Sequence, residues 1–91
     1  MNILSKKPIK NPKLSIIEHV GGIYATINRE KFWEIDRSVA EVLKMCDGKK
    51  TIEQIARRIA SIIDEKVEKI LPILMDMLNE LEKNSLITYE D

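Results

Sequence analysis

The sequence has little of what catalysis or covalent stabilisation requires. Its 91 residues include one cysteine, one histidine, one tryptophan and one phenylalanine. The lone Cys46 excludes an intramolecular disulfide, so the core must supply the stability itself. One cysteine and one histidine do not make a zinc site, which takes three or four protein ligands. The three glycines, Gly21, Gly22 and Gly48, form neither a dinucleotide-binding nor a phosphate-loop motif. The acidic residues near the C-terminus lack EF-hand spacing. No apolar run approaches the roughly 18 residues of a membrane span. Pro8, Lys10, Asn11, Pro12 and Lys13 stand where a secretory signal would place its apolar stretch. A cytoplasmic protein without a membrane partner is expected.

Catalytic candidates are equally sparse. His19 follows Glu18, but adjacent residues of a strand point to opposite faces, so the pair does not converge. Cys46 falls on the apolar side of a helix, where a buried, inert thiol is the ordinary outcome. No catalytic residue, metal ligand or cofactor is assigned. The expected protein is not an enzyme.

Net charge is also absent, since 15 basic residues balance 15 acidic ones. The balance hides an asymmetry. Residues 1–63 hold 12 Lys/Arg against 7 Asp/Glu, or +5, while residues 64–91 hold 3 against 8, or −5. A protein without an overall basic surplus is a poor general binder of nucleic acid, although a local basic face would suffice.

What is present is hydrophobic patterning for one small α+β domain. Residues 1–13 carry four lysines and two prolines and read as a flexible basic arm, with the domain at 14–91. Strands are expected at about 14–20, 23–28 and 31–35, with Gly21-Gly22 and Asn28-Arg29-Glu30 as turns. Such a three-stranded antiparallel meander needs a helical layer over one face. Helices follow at about 37–46, 51–63 and 65–83. Asp36 or Ser38 caps the first, with Glu41 completing a capping box if Ser38 is the cap. Thr51 caps the second, whose buried stripe is Ile52, Ile55, Ile59 and Ile62 or Ile63. The third starts near Asp64 and carries Pro72 inside it, at a cost of roughly 3 kcal/mol. Leu86 to Tyr89 forms a short extended tail.

Two places carry more apolar surface than a core requires. On the third helix, Ile70, Leu74, Met77, Leu78 and Leu81 fill an ordinary core stripe of about 100°. Ile73 on one flank, with Leu71 and Met75 on the other, widens the apolar arc to about 200°. Leu71 and Met75 are read as core, whereas Ile73 and Met77 either join the core or line a surface groove. On the third strand, Trp33 and Ile35 share the face toward the helices, which leaves Phe32 and Glu34 on the open face. That strand has one unpaired edge, which Lys31 and Glu34 either blunt or leave for a peptide to pair with.

The run Phe32-Trp33-Glu34-Ile35-Asp36, then Ala40, Val42-Leu43, Asp47-Gly48, Thr51-Ile52-Glu53-Gln54-Ile55 and Glu80-Leu81-Glu82-Lys83-Asn84-Ser85-Leu86-Ile87 resembles the PqqD family. These are the peptide-recognition elements of ribosomal peptide modification, and the likeness covers about residues 12–89. The resemblance implies a winged-helix-like fold. It implies an adaptor that binds the leader segment of a precursor peptide and presents it to a modifying enzyme, often a radical iron–sulfur or cyclising enzyme. The leader would add as a strand beside Lys31, Phe32, Trp33, Glu34 and Ile35, against helix residues Ile73, Met77 and Glu80. Two departures stand out: Ser85 occupies a position where many relatives have glycine, and Pro72 is unusual within that helix. Two other functions remain open. One is a structural or regulatory homodimer that buries the same surface. The other is a winged-helix DNA binder using Lys49, Lys50, Arg57 and Arg58, opposed by Glu68, Asp76, Glu80 and Glu82 on the third helix.

Overall fold

The computed structural model describes residues 3–90. Strands β1 (Lys7–Lys10), β2 (Ser15–His19), β3 (Gly22–Thr26) and β4 (Trp33–Ile35) lead into helices α1 (Arg37–Met45), α2 (Ile52–Ile63) and α3 (Val67–Lys83), and β5 (Ile87–Glu90) follows. An antiparallel sheet in the order β2-β3-β4 precedes a three-helix bundle, a winged-helix-like α+β fold. Two residues, Val20 and Gly21, join β2 to β3, and Gly21 takes the positive φ of 94° that the tight turn demands.

The cross-strand row Ile16, Ala25 and Trp33 turns the helix-facing side of this sheet onto the core. Leu43 and Cys46 of the α1 end meet Ile52 and Ile55 of α2, Leu74 and Leu78 of α3, and Leu86 and Ile87 beyond it. All eight side chains are fully buried.

Helix ends follow from specific caps. Asp36, not Ser38, caps α1. Its carboxylate accepts the Val39 N–H at 2.9 Å and the Ser38 hydroxyl at 2.6 Å. Glu41 therefore completes no capping box and lies 3.6 Å from Lys44 instead. Thr51 caps α2 in a true box: its hydroxyl accepts the Gln54 N–H at 3.1 Å and the Gln54 side-chain Oε1 accepts the Thr51 N–H at 2.8 Å.

Four sequence expectations are corrected. The arm expected at residues 1–13 contains regular structure, because β1 pairs with β5 from Lys7↔Glu90 to Lys10↔Ile87. The opposite side of β1 is stitched to the α1–α2 connection. Lys10 N–H donates to the Cys46 carbonyl at 2.9 Å, and Gly48 N–H to the Pro8 carbonyl at 3.0 Å. Pro8 lacks a donor, yet it is tolerated in a peripheral strand and its ring is fully buried. Met1, at the head of that arm, lies outside the described residues. The third strand of the meander is also shorter than expected: Lys31 and Phe32 precede β4 and do not belong to it.

The third helix starts at Val67 rather than near Asp64, which instead ends α2 in a left-handed conformation with φ 56°. Pro72 sits inside α3, with Glu68, whose carbonyl it cannot satisfy, exposed to solvent. Finally, neither Ile62 nor Ile63 completes the buried stripe of α2. They are 65 % and 57 % exposed. The buried residues of α2 are instead Ile52, Ile55, Ala56 and Ala60.

Candidate functional site

β4 is the last strand of its sheet, and among the described residues no strand pairs with its outer edge. Hydrogen bonding to β3 uses the Ile23↔Ile35, Tyr24↔Glu34 and Ala25↔Trp33 register, so the free side offers backbone groups over three residues. Alongside this edge lies an open hollow of about 350 Å³ between β4 and the C-terminal half of α3. Its walls are Trp33, Glu34, Ile35, Asp36 and Val39 on one side, and Met77, Glu80, Leu81, Asn84 and Leu86 on the other.

The two-residue period of the strand and the helical period of α3 explain this wall. Trp33 and Ile35 turn inward and are partly buried against the core, whereas Glu34 points outward and is exposed. Met77 and Glu80 follow one another around a helical turn, apolar then acidic. Asp36 enters the hollow from the α1 cap. The Ser38 hydroxyl, and then the Val39 N–H, hold its carboxyl below the usual carboxylate range. The hollow therefore combines apolar walls with the carboxylates of Asp36 and Glu80, while that of Glu34 lies on the open sheet face beside Gly22, and no lysine or arginine lines the hollow.

The sequence-predicted residues divide into three groups. Trp33, Glu34, Ile35, Met77 and Glu80 come together in this hollow. Ile73 does not. It is 63 % exposed and lines a second, larger cavity of about 450 Å³ among α1, α2 and the N-terminal half of α3. Lys31 and Phe32 line neither hollow, although Phe32 is 51 % exposed just before the strand. Leu71 and Met75, expected in the core, are partly buried and pack on it.

Several wall residues escaped the sequence. Asp36, Val39, Asn84 and Leu86 come from the cap of α1 and the end of α3, whose convergence on β4 is a tertiary fact. For the larger cavity a signal existed: α2 carries five isoleucines, more than one stripe needs, and Ile62 and Ile63 are the surplus.

The other reactive groups stand apart. Cys46 is fully buried, and its thiol donates to the Val42 carbonyl at 3.3 Å. Burial, with the neighbouring Asp47 charge, pushes that thiol up to about 12. His19 is exposed at the far end of β2, paired with Gly22. Asp47 organises the α1–α2 connection. The Lys50 ammonium at 2.8 Å and the Lys49 N–H hold its carboxyl down at about 2. Among the described residues, no group of three His, Cys, Asp or Glu side chains could hold a metal ion. No helix there is long and apolar enough to cross a membrane.

Residues 23–87 match the family model described as coenzyme PQQ synthesis protein D (PqqD). The match runs from the start of β3 to the start of β5 and thus spans β4, all three helices and both hollows. No curated protein and no solved structure matches the chain. With more than two thirds of its length inside that match, the chain belongs to the PqqD family.

Proposed function

We propose that this protein is a non-catalytic adaptor that binds the leader segment of a precursor peptide and presents it to a modifying enzyme. The observation that carries this reading is the open edge of β4 running beside the hollow lined by Trp33, Ile35, Met77 and Glu80. A peptide laid there would pair its backbone with Trp33–Ile35 while alternate side chains enter the hollow against α3. Backbone pairing supplies affinity that tolerates sequence variation, and the side-chain hollow supplies register. Membership of the PqqD family supports the same role. The modifying enzyme, a radical iron–sulfur enzyme by analogy with that family, supplies the chemistry that this chain's own residues lack.

The test is a titration with a candidate leader peptide. Trp33 is the only tryptophan, so its fluorescence reports on the hollow without labelling. Saturable binding that shifts Trp33 emission and the amide signals of residues 33–35 supports the assignment. A peptide that binds and leaves those signals unchanged contradicts it.

A further inference from the structure

The larger cavity is not the one beside the strand edge, and nothing in the proposed pairing uses it. It adjoins the first at Met77, which lines both. α3 runs along the two in sequence. Met77, Glu80 and Asn84 serve the hollow beside β4, while Ile70, Ile73 and Met77 serve the cavity. β4 leads directly into α1, whose Val42 and Met45 form the cavity's opposite wall. The cavity and the hollow are thus neighbours along both α1 and α3.

The cavity wall is made mostly of aliphatic and methionine side chains, yet Ile62, Ile63 and Ile73 remain more than half exposed at its mouth. Three large exposed isoleucines converging on one concavity are an interaction surface, unlike apolar residues scattered singly. Charge narrows the occupant. The carboxylates of Asp36 and Glu80 line one hollow and that of Glu41, in an exposed pair with Lys44 at 3.6 Å, lines the other, and no lysine or arginine lines either. Nucleic acid would bring phosphates against these carboxylates. A second copy docked across a two-fold axis would set the same carboxylates against one another. A peptide carrying aliphatic side chains with lysine or arginine beside them meets both features.

We infer that the cavity among α1, α2 and α3 is a second subsite for the same peptide, taking aliphatic anchors from the segment adjoining the strand-paired one, with cationic residues beside them opposite Glu80 and Glu41. This rests on the strand-addition reading above and specifies the class of peptide it accepts. Specificity then comes from two linked sites, and the second adds affinity without new backbone pairing.

The intact chain tests this with peptides selected on it from a random display library. Ile62 and Ile73 are exposed, so the double variant Ile62→Ser, Ile73→Ser keeps the fold, which a thermal melt checks. Selected peptides should carry lysine or arginine beside aliphatic residues. The double variant should bind them about tenfold or more weakly, the effect of losing buried isoleucine contacts. Peptides cut back to the strand-pairing segment should bind both proteins equally. Unchanged affinity in the double variant, with amide shifts still at residues 33–35, overturns the second subsite and leaves the strand reading standing. Absence of shifts at residues 33–35, or recovery of no binding peptide, overturns the strand reading and the subsite with it. Self-association of the wild type that the double variant abolishes assigns the cavity to a second copy and overturns the inference.

Discussion

Leu86 donates its N–H to the Leu81 carbonyl at 2.9 Å, closing α3 through Ser85 in a left-handed conformation with φ 64°. Ser85 N–H reaches the Glu82 carbonyl at 3.0 Å, and Leu81 and Leu86 are both buried. This is the closure that glycine ordinarily provides. The serine therefore changes the strain at the helix end and not its path. Ser85→Gly should stabilise the fold by about 0.5–1 kcal/mol, once the greater freedom of glycine in the unfolded chain is set against the left-handed strain. Chemical denaturation with an unchanged slope checks it. A loss of stability would show that Ser85 is not strained.

The N-terminal strand should be essential although it lies outside the family match. Lys10 to Cys46, Gly48 to Pro8, Ile52 to Lys6 and Asn11 to Leu86 are four backbone hydrogen bonds that cross from residues 6–11 to the rest of the domain. At roughly 1 kcal/mol net each, and with Pro8 buried, deleting residues 1–11 should cost about 3 kcal/mol or more. Circular dichroism melts of the shortened and full chains measure this. An unchanged melting temperature would contradict the role given to β1.

Cys46 should resist alkylation in the native protein. Its sulfur is buried and its thiol titrates far above the ordinary range, so little thiolate exists even in mildly alkaline solution. Iodoacetamide should label it only as fast as the domain opens, and labelling should become rapid in denaturant. Fast labelling of folded protein would place the thiol at the surface.

Acid should weaken the fold through Asp47 and Asp36. Both carboxyls titrate below their ordinary value in the folded state, Asp47 at about 2. Depressed folded values mean the stabilisation is present above the unfolded carboxylate range and is lost as pH falls from there toward the folded value. Asp47→Asn should therefore lower stability at neutral pH and flatten the acid limb of a melting profile. A variant with the same acid limb as wild type would remove Asp47 from this role.

Much of the architecture was legible because periodicity and caps agree. Gly21 and Thr51 mark their turn and cap without tertiary help, the α1 cap narrows to Asp36 or Ser38, and the strand and helix order follows. β1 was not legible, since Pro8 and alternating lysines look unstructured until β5 and the Asp47 connection enclose them. The hollow was half legible. The two-residue period turned Trp33 and Ile35 toward the helices and the helical period left Met77 between core and groove, but Asp36 and Asn84 arrive only through tertiary packing. Ile73 looked like a partner of β4 because it shares the outer flank of α3 with Met77. One helical turn takes it past the strand and into the neighbouring cavity.

Met77→Asp probes the residue common to both hollows. Met77 is partly buried at their junction and does not belong to the deep core, so the variant should remain folded with a loss of about 2 kcal/mol or less. Peptide affinity should fall by about tenfold or more, because a carboxylate there is desolvated against apolar side chains. Paired melts and titrations separate the effects. A collapsed melt would assign Met77 to the core and remove it from the site.

The most direct measurement is amide hydrogen exchange at residues 33–35, with and without a candidate leader peptide. Strand addition requires outward-pointing amides on the free edge of β4 to gain a partner. Slowed exchange is expected on saturation at those of residues 33–35 whose amides face the free edge, accompanied by a change in Trp33 emission. Saturable binding with exchange at those residues unchanged would contradict it.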